Sequence, residues 1–513
     1  MSISVLDRYP ARTEWLRKPS PARGTLYEPL RDGFNIIVSI CVSLLTLCMF
    51  ALLFPDSLEW YLVPSFVCGC FAGIDMVAWF RRKLDLFDPL GILGTFNFYF
   101  CYLAPLLTVG FDYHTLGIPP VPDFTDWVGL LSIINALGLL VYLLGRRLLR
   151  IQRPKKVWTV RPAHFYSVIA IALPISMALQ VLIFIKFGGS LSGFIDTFTD
   201  SISTKKVEFD GFGYLFLIAE TFPLFLALGC LVWAREFLKK APWLVLASST
   251  AGFFAVKLVF GGLRGSRGLT VWGMLWFVGA IHVWIRPLPR KVIPIAAICL
   301  IGFMYLYGFY KDVGIKVLDL VDDPSQITQM ERNSGRTLPE VLLGDMARTD
   351  VQTALLYHLT MSDSYHRAYG LDYMESFAFV VPRKIWPDRP PGKVKWGSEA
   401  LYGDQLFTWD TRATYIYGLV GEGLLNFPPI VVPLLFFVLA IAVSYMRSLL
   451  LLDRDDVRRM WIPICSVFAI LLVSADIENV LFLGLSIALA PVILVVACTE
   501  ARPCSLQDGA TRS

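Results

Sequence analysis

The chain has little with which to dissolve in water. Charged side chains make up 17% of its 513 residues and histidine occurs only five times, while 56% of residues are hydrophobic. A soluble domain carries about a quarter charged residues, so a soluble enzyme is excluded. No long low-complexity tract or internal repeat is visible, which counts against transporters assembled from inverted or parallel repeats. No apolar stretch precedes Phe34, so a cleavable secretory signal is not expected. Of ten cysteines none falls between Tyr310 and Arg412, the longest polar stretch, and a structural disulfide is not expected. Cys68 and Cys70 lack the spacing of a redox or zinc motif. The net charge of +5 is not gathered on one soluble face, which argues against a nucleic-acid partner.

What the chain does have is twelve apolar segments: Phe34–Phe54, Tyr61–Phe80, Pro89–Val109, Trp127–Leu144, Phe165–Ile185, Tyr214–Trp233, Trp243–Phe260, Leu269–Ile285, Val292–Phe309, Ile430–Tyr445, Trp461–Val473 and Leu481–Val496. Each is near the roughly 20 residues that cross a bilayer core. Every second gap is basic: Arg8 to Arg31, Arg81 to Lys83, Arg146 to Arg161, Arg235 to Lys240, Arg286 to Lys291 and Arg447 to Arg459. By the positive-inside rule these gaps and both termini are cytoplasmic. The expected fold is an all-α polytopic membrane protein of about twelve transmembrane helices with a large extracytoplasmic loop. Its parts are a tail (1–33), nine helices (34–309), the loop (310–412), three helices (413–498) and a second tail (499–513).

Polar chemistry meets the membrane where the seventh span exits, at Lys257-Leu-Val-Phe-Gly-Gly-Leu-Arg-Gly-Ser-Arg-Gly268. Arg264 and Arg267 offer planar donor forks suited to phosphate oxygens. The surrounding glycines permit close backbone approach, and the next helix starts here with its positive dipole end. This reads as a phosphate or pyrophosphate site; the plain alternative is a tight turn with snorkelling arginines. Lys257 lies about two turns before Arg264 inside the span, where a lysine is costly unless paired or facing a cavity. Glu220 is its expected counter-ion, in either a packing pair or a substrate site. Asp75, Asp88 and His282, nearer the cytoplasmic side, are expected to cap or pack helices.

The loop has helical periodicity over Leu338–Met361 and a stiff aromatic, proline and arginine cluster, Ser376 to Pro391. In and after it, Trp386 and Trp396 suit an interface belt or a sugar-stacking platform, and Arg383, Lys384 and Arg389 present donors. Farther on, Arg412 is separated from Gly423 by ten residues on the way back into the membrane.

These strings resemble the bacterial oligosaccharide repeat-unit polymerases, the Wzy or O-antigen polymerase group. The resemblance rests on the Arg-Gly-Ser-Arg-Gly turn at 264–268, the Pro-Arg-Lys-Ile-Trp-Pro-Asp-Arg-Pro string at 382–390, the Arg412 to Gly423 spacing, and the layout of spans and late loop. It implies a GT-C-like, metal-independent glycosyltransferase in the bacterial inner membrane, without a cofactor. Such an enzyme transfers a growing glycan from undecaprenyl diphosphate to an incoming lipid-linked repeat unit. The partners implied are undecaprenyl-diphosphate-linked oligosaccharides in the lipid bilayer, together with the chain-length regulator and flippase of the same pathway. Arg264, Arg267, Arg383, Arg389, Arg412 and Lys257 are then the diphosphate-binding candidates, since charge on the leaving diphosphate must be neutralised. The attacking hydroxyl needs a base, and His358, His366, Asp350, Glu399 and Asp410 are candidates that spacing does not separate. An O-antigen ligase and a secondary transporter or glycolipid flippase are the competing readings. The short first outer loop, Pro55 to Trp60, argues against a dolichol-sugar-type mannosyltransferase.

Overall fold

The computed structural model describes residues 26–115, 117–149, 156–186, 189–190, 193, 195, 213–264, 267–314, 339–361, 365–378, 381, 385–390, 392–403 and 415–503. Among them, eleven helices are long and apolar enough to cross a membrane, and Trp243–Val259, at 17 residues, falls just short of that length. The protein is an all-α multi-pass membrane protein with one small exception. Strand β1 (Lys156–Val160) pairs antiparallel with β2 (Thr499–Pro503), Lys156 opposite Pro503 and Val160 opposite Thr499. The second tail is therefore pinned as far as Pro503. A gap and a terminus that charge alone assigned to one side do lie side by side.

The spans are α1 (Gly33–Leu53), α2 (Leu62–Phe80), α3 (Pro89–Gly110), α4 (Phe124–Leu148) and α5 (Pro162–Lys186). The sixth span is broken into α6 (Gly213–Ala219) and α7 (Phe222–Trp233) at Glu220-Thr221, just before Pro223. A proline lacks the amide that would continue the helical ladder, and the Thr221 hydroxyl instead donates to Ile218 O at 2.6 Å. Then come α8 (Trp243–Val259), α9 (Arg267–Ile285) and α10 (Val292–Val313). Helix α10 runs past the expected loop boundary at Tyr310 and stops at Gly314, whose φ of 64° a side chain would resist. The polar stretch carries α11 (Thr349–Met361), α12 (Leu371–Ala378) and α13 (Lys393–Tyr402), and α14 (Gly418–Asn426) follows it before the next span. The last spans are α15 (Leu435–Ser448), α16 (Trp461–Ser474) and α17 (Ile477–Cys498).

Lipid is as apolar as leucine, so helices in a membrane associate through close packing and polar contacts. Helices α1 and α2 show both devices. Gly69 and Gly73 of α2 lie against Ser43 and Ser39 of α1, and an added Cβ at Gly69 would come within 2.9 Å of Ser43 Oγ. Ser39 Oγ also donates to Cys70 O at 2.7 Å. One core joins α1 to α4, α15, part of α16 and helices α11, α13 and α14. A second joins α5, α7, α8, α9 and α17.

The end of the bundle holding the basic gaps is tied by ion pairs. Buried Arg146, at the end of α4, bonds Asp75 of α2 and reaches Glu28 at 2.7 Å. Buried Arg447, near the end of α15, meets Asp88 at 3.0 Å and donates to Tyr27 O at 2.9 Å. Asp88 also accepts the Leu90 amide at 2.9 Å, capping α3. His282 bonds Asp85 at 3.2 Å through Nε2 and accepts the Leu288 amide at 2.9 Å on Nδ1. These three positions cap and pack helices.

Candidate functional site

At the opposite end the polar stretch lies on the spans. Helix α11 packs on α4 and α14, α13 on α11, α12 and α14, and α12 on the start of α17. The edge-to-face pair Trp127–Tyr357, 5.3 Å between ring centres, seats α11 on α4. Gly418 opens α14 with a φ of 67°, and an added Cβ would lie 2.7 Å from Val473 O. Only glycine takes that conformation and that approach without strain. Gln352 of α11 completes the joint by donating to Tyr417 O at 2.7 Å.

This packing gathers three carboxylates and one ammonium out of water: Asp372 of α12, Glu422 of α14, Asp476 at the α16–α17 hinge and Lys393 of α13. Asp476 is the best satisfied. It takes the Tyr417 and Gly418 amides at 2.7 and 3.1 Å and bonds the Lys393 ammonium. Glu422 accepts the first amide of α17, Ile477 N, at 3.2 and 3.1 Å from its two oxygens. Among the described residues Asp372 receives only the Asn426 amide, at 3.3 Å. Asp372 Oδ1, Ser376 Oγ and Tyr417 OH are buried with no hydrogen-bond partner among the described residues. Burial, and after it the charge of Asp476, pushes the Asp372 carboxyl up to about 7. Burial likewise holds Glu422 well above the usual carboxylate range, reinforced by the charges of Asp476 and Asp372.

A second group of contacts ties the glycine-arginine turn to the polar stretch. Arg267 forms a fork-to-fork ion pair with Asp345, one arm at 2.6 Å. Beside it, Tyr113 OH donates to Glu340 at 2.6 Å and the Thr115 amide to Asp350 at 3.0 Å. The segment carrying Asp345 therefore lies against the start of α9.

The arginine fork of Arg267, expected to stand open for an anion, is instead occupied by Asp345. Arg264 ends a short 3-10 turn, Gly262–Arg264. Lys257 is fully buried against Gly273 of α9, where an added Cβ would come 2.9 Å from its Cε, so it lies inside the bundle. Glu220 is buried as well, at the α6–α7 break. Arg389 donates to Val381 O at 3.1 Å within its own stretch. Arg383, Arg412 and Asp410 lie outside the described residues.

Among the base candidates, Asp350 is buried in the first turn of α11 and raised by that burial, although the Thr115 amide opposes the shift. His358 is half-buried, its ring 5.0 Å from that of Tyr357, and desolvation lowers it. His366 is exposed. Glu399 lies 3.7 Å from Lys395, one turn earlier on α13. No two of these bases share a hydrogen bond among the described contacts. Trp396 is no open platform, because its indole donates to Glu375 at 2.9 Å; Trp386 remains exposed.

Asp372, Lys393, Glu422 and Asp476 were not singled out from the sequence. One signal was available: Asp476 and Glu478 stand in the tight gap between two apolar spans, where charge needs a reason. No family model, no curated protein and no solved structure matches this chain.

Proposed function

We propose that the protein is a GT-C-like glycosyltransferase of the repeat-unit polymerase type, acting at the outer face of the bacterial inner membrane with both termini cytoplasmic. On this reading it moves a glycan from undecaprenyl diphosphate to a lipid-linked repeat unit held in the same leaflet. One observation carries the reading. The late polar stretch is not a separate domain but a cap joined to the first turn of α9 through Arg267 and Asp345. On this reading the cap and the turn share one face of the bundle, where a lipid diphosphate and a sugar acceptor would meet. Arg264 is the foremost anion ligand on this reading. Arg267 contributes by exchanging Asp345 for phosphate oxygens, which its planar fork accepts in the same geometry.

Comparing lipid-linked glycans from a deletion strain and wild type tests the proposal. Single repeats accumulating on the lipid support a polymerase. Long lipid-linked chains that never reach their final acceptor point to a ligase, and an unchanged glycan pool to a transporter.

A further inference from the structure

Three buried carboxylates, Asp372, Glu422 and Asp476, gather around the Lys393 ammonium, and among the described residues it is Asp476 that bonds this lysine and that also lies within electrostatic reach of Arg348. Isolated buried charge is costly enough that such groups neutralise instead. We propose that Asp372 and Glu422 together form a proton-binding latch, whose bound proton lets α12 seat on α14 and on the α16–α17 hinge. The inference does not depend on the polymerase reading.

The geometry says why this pair takes the proton. Asp476 is already matched by Lys393 and two backbone amides. Among the described residues Asp372 and Glu422 have amide donors only, and neither bonds a cation. The two carboxyls lie within electrostatic reach of each other, and Asn426, which donates to Asp372, also donates to the Glu422 backbone carbonyl at 2.9 Å. Ser376 Oγ, one turn along α12 from Asp372, and Tyr417 OH are buried polar atoms with no partner of their own. The titratable groups facing Asp372 are Tyr373 and Glu375 on α12, Lys393 on α13, Tyr417 and Glu422 before and on α14, and Asp476 at the hinge.

The seating itself is read at the Ala368 and Tyr369 amides, which donate to Leu425 O and Asn426 O at 3.1 and 3.0 Å. When α12 is lifted off and solvated, Asp372 titrates near the ordinary 3.8; seated, it is pushed up to about 7. The seated form binds the proton more tightly. Seating is therefore strongest below the lower value, weakens about tenfold per pH unit between the two, and is flat above the upper one.

The test is amide exchange over residues 365–378 of the full chain in lipid nanodiscs, expressed as protection factors from pH 5 to pH 8. Wild type should lose protection roughly a hundredfold between pH 5 and pH 7. Asp372→Asn supplies a neutral isostere of the protonated acid, so it should stay protected with a flattened profile; Glu422→Gln leaves Asp372 buried beside Asp476 and should keep protection that still falls as pH rises. An unchanged slope in Asp372→Asn overturns the latch, as does loss of its protection at every pH. If Asp372→Asn does not fold, a pH-independent profile in Glu422→Gln overturns it.

Discussion

Removing the Asp476 side chain is the sharpest test of how the cap is held. Asp476→Ala takes away the acceptor for two backbone amides, Tyr417 N and Gly418 N, and leaves the Lys393 ammonium buried without its partner. Stranding one member of a buried ion pair costs roughly 3–5 kcal/mol. The two orphaned amides add to that, but not additively, because the segment relaxes. At 1.4 kcal/mol per factor of ten, the joint at Tyr417-Gly418 should open roughly a hundred to several thousand times more often. The amides that lose their acceptor are themselves the reporters, so amide exchange of the peptide spanning 415–420 is the assay. A second change separates a lost acceptor from a stranded charge. Lys393→Met combined with Asp476→Ala removes the ammonium and should recover at least about tenfold of the lost protection. Protection within threefold of wild type in Asp476→Ala would refute the reasoning. So would a double variant no better protected than the single.

Gly418→Ala should lower the thermal midpoint of the purified protein, with a cost of at least about 1 kcal/mol; an unchanged midpoint would mean that the φ of 67° is not required. Arg267→Ala and Asp345→Ala should each loosen the cap by roughly 1.5–3 kcal/mol, read as faster proteolysis of the polar stretch, with the double variant no worse than either single one. If Arg267 also serves a diphosphate, Asp345→Ala should keep more polymer than Arg267→Ala, and equal loss would confine the pair to structure. For topology, cysteines at Tyr369 and Met374, 72% and 70% exposed, should react with an impermeant thiol reagent on intact cells, and one at Arg454 should not. The reverse pattern would invert the orientation.

Most of the fold was legible because the membrane leaves few options. An apolar run of about 20 residues must be a helix so that every backbone polar group is satisfied, and each of the twelve segments is matched by helix. The misjudged boundaries have local causes. Helix α10 overran Tyr310 because nothing breaks it before Gly314, and the sixth span split because Glu220-Thr221 precedes Pro223. The candidate site was much less legible. Arg267 looked like an open anion ligand because its partner, Asp345, lies 78 residues away, a pairing that no local pattern encodes. Asp372, Glu422 and Asp476 come from three separate stretches, and each taken alone resembles a solvated carboxylate. Their chemistry arises only where α12, α14 and the α16–α17 hinge meet.

The two ends of the bundle treat buried charge differently, and that difference bears on where function resides. At the basic end Asp75 and the half-buried Glu28 touch Arg146, and Asp88 touches Arg447. Arginine remains charged at any physiological pH, so each of these carboxylates keeps a cationic partner that ties helix ends together. At the cap end a lysine serves one carboxylate, and two others are left with amides. An arrangement of that kind has two states separated by a single proton, and it sits at the joint between the cap and the last pair of spans. On the latch proposal, a change of protonation at that joint acts on the cap, not on the arginine-tied helix ends. The cap is the part which must admit and release a lipid-linked substrate if the proposed transfer takes place there.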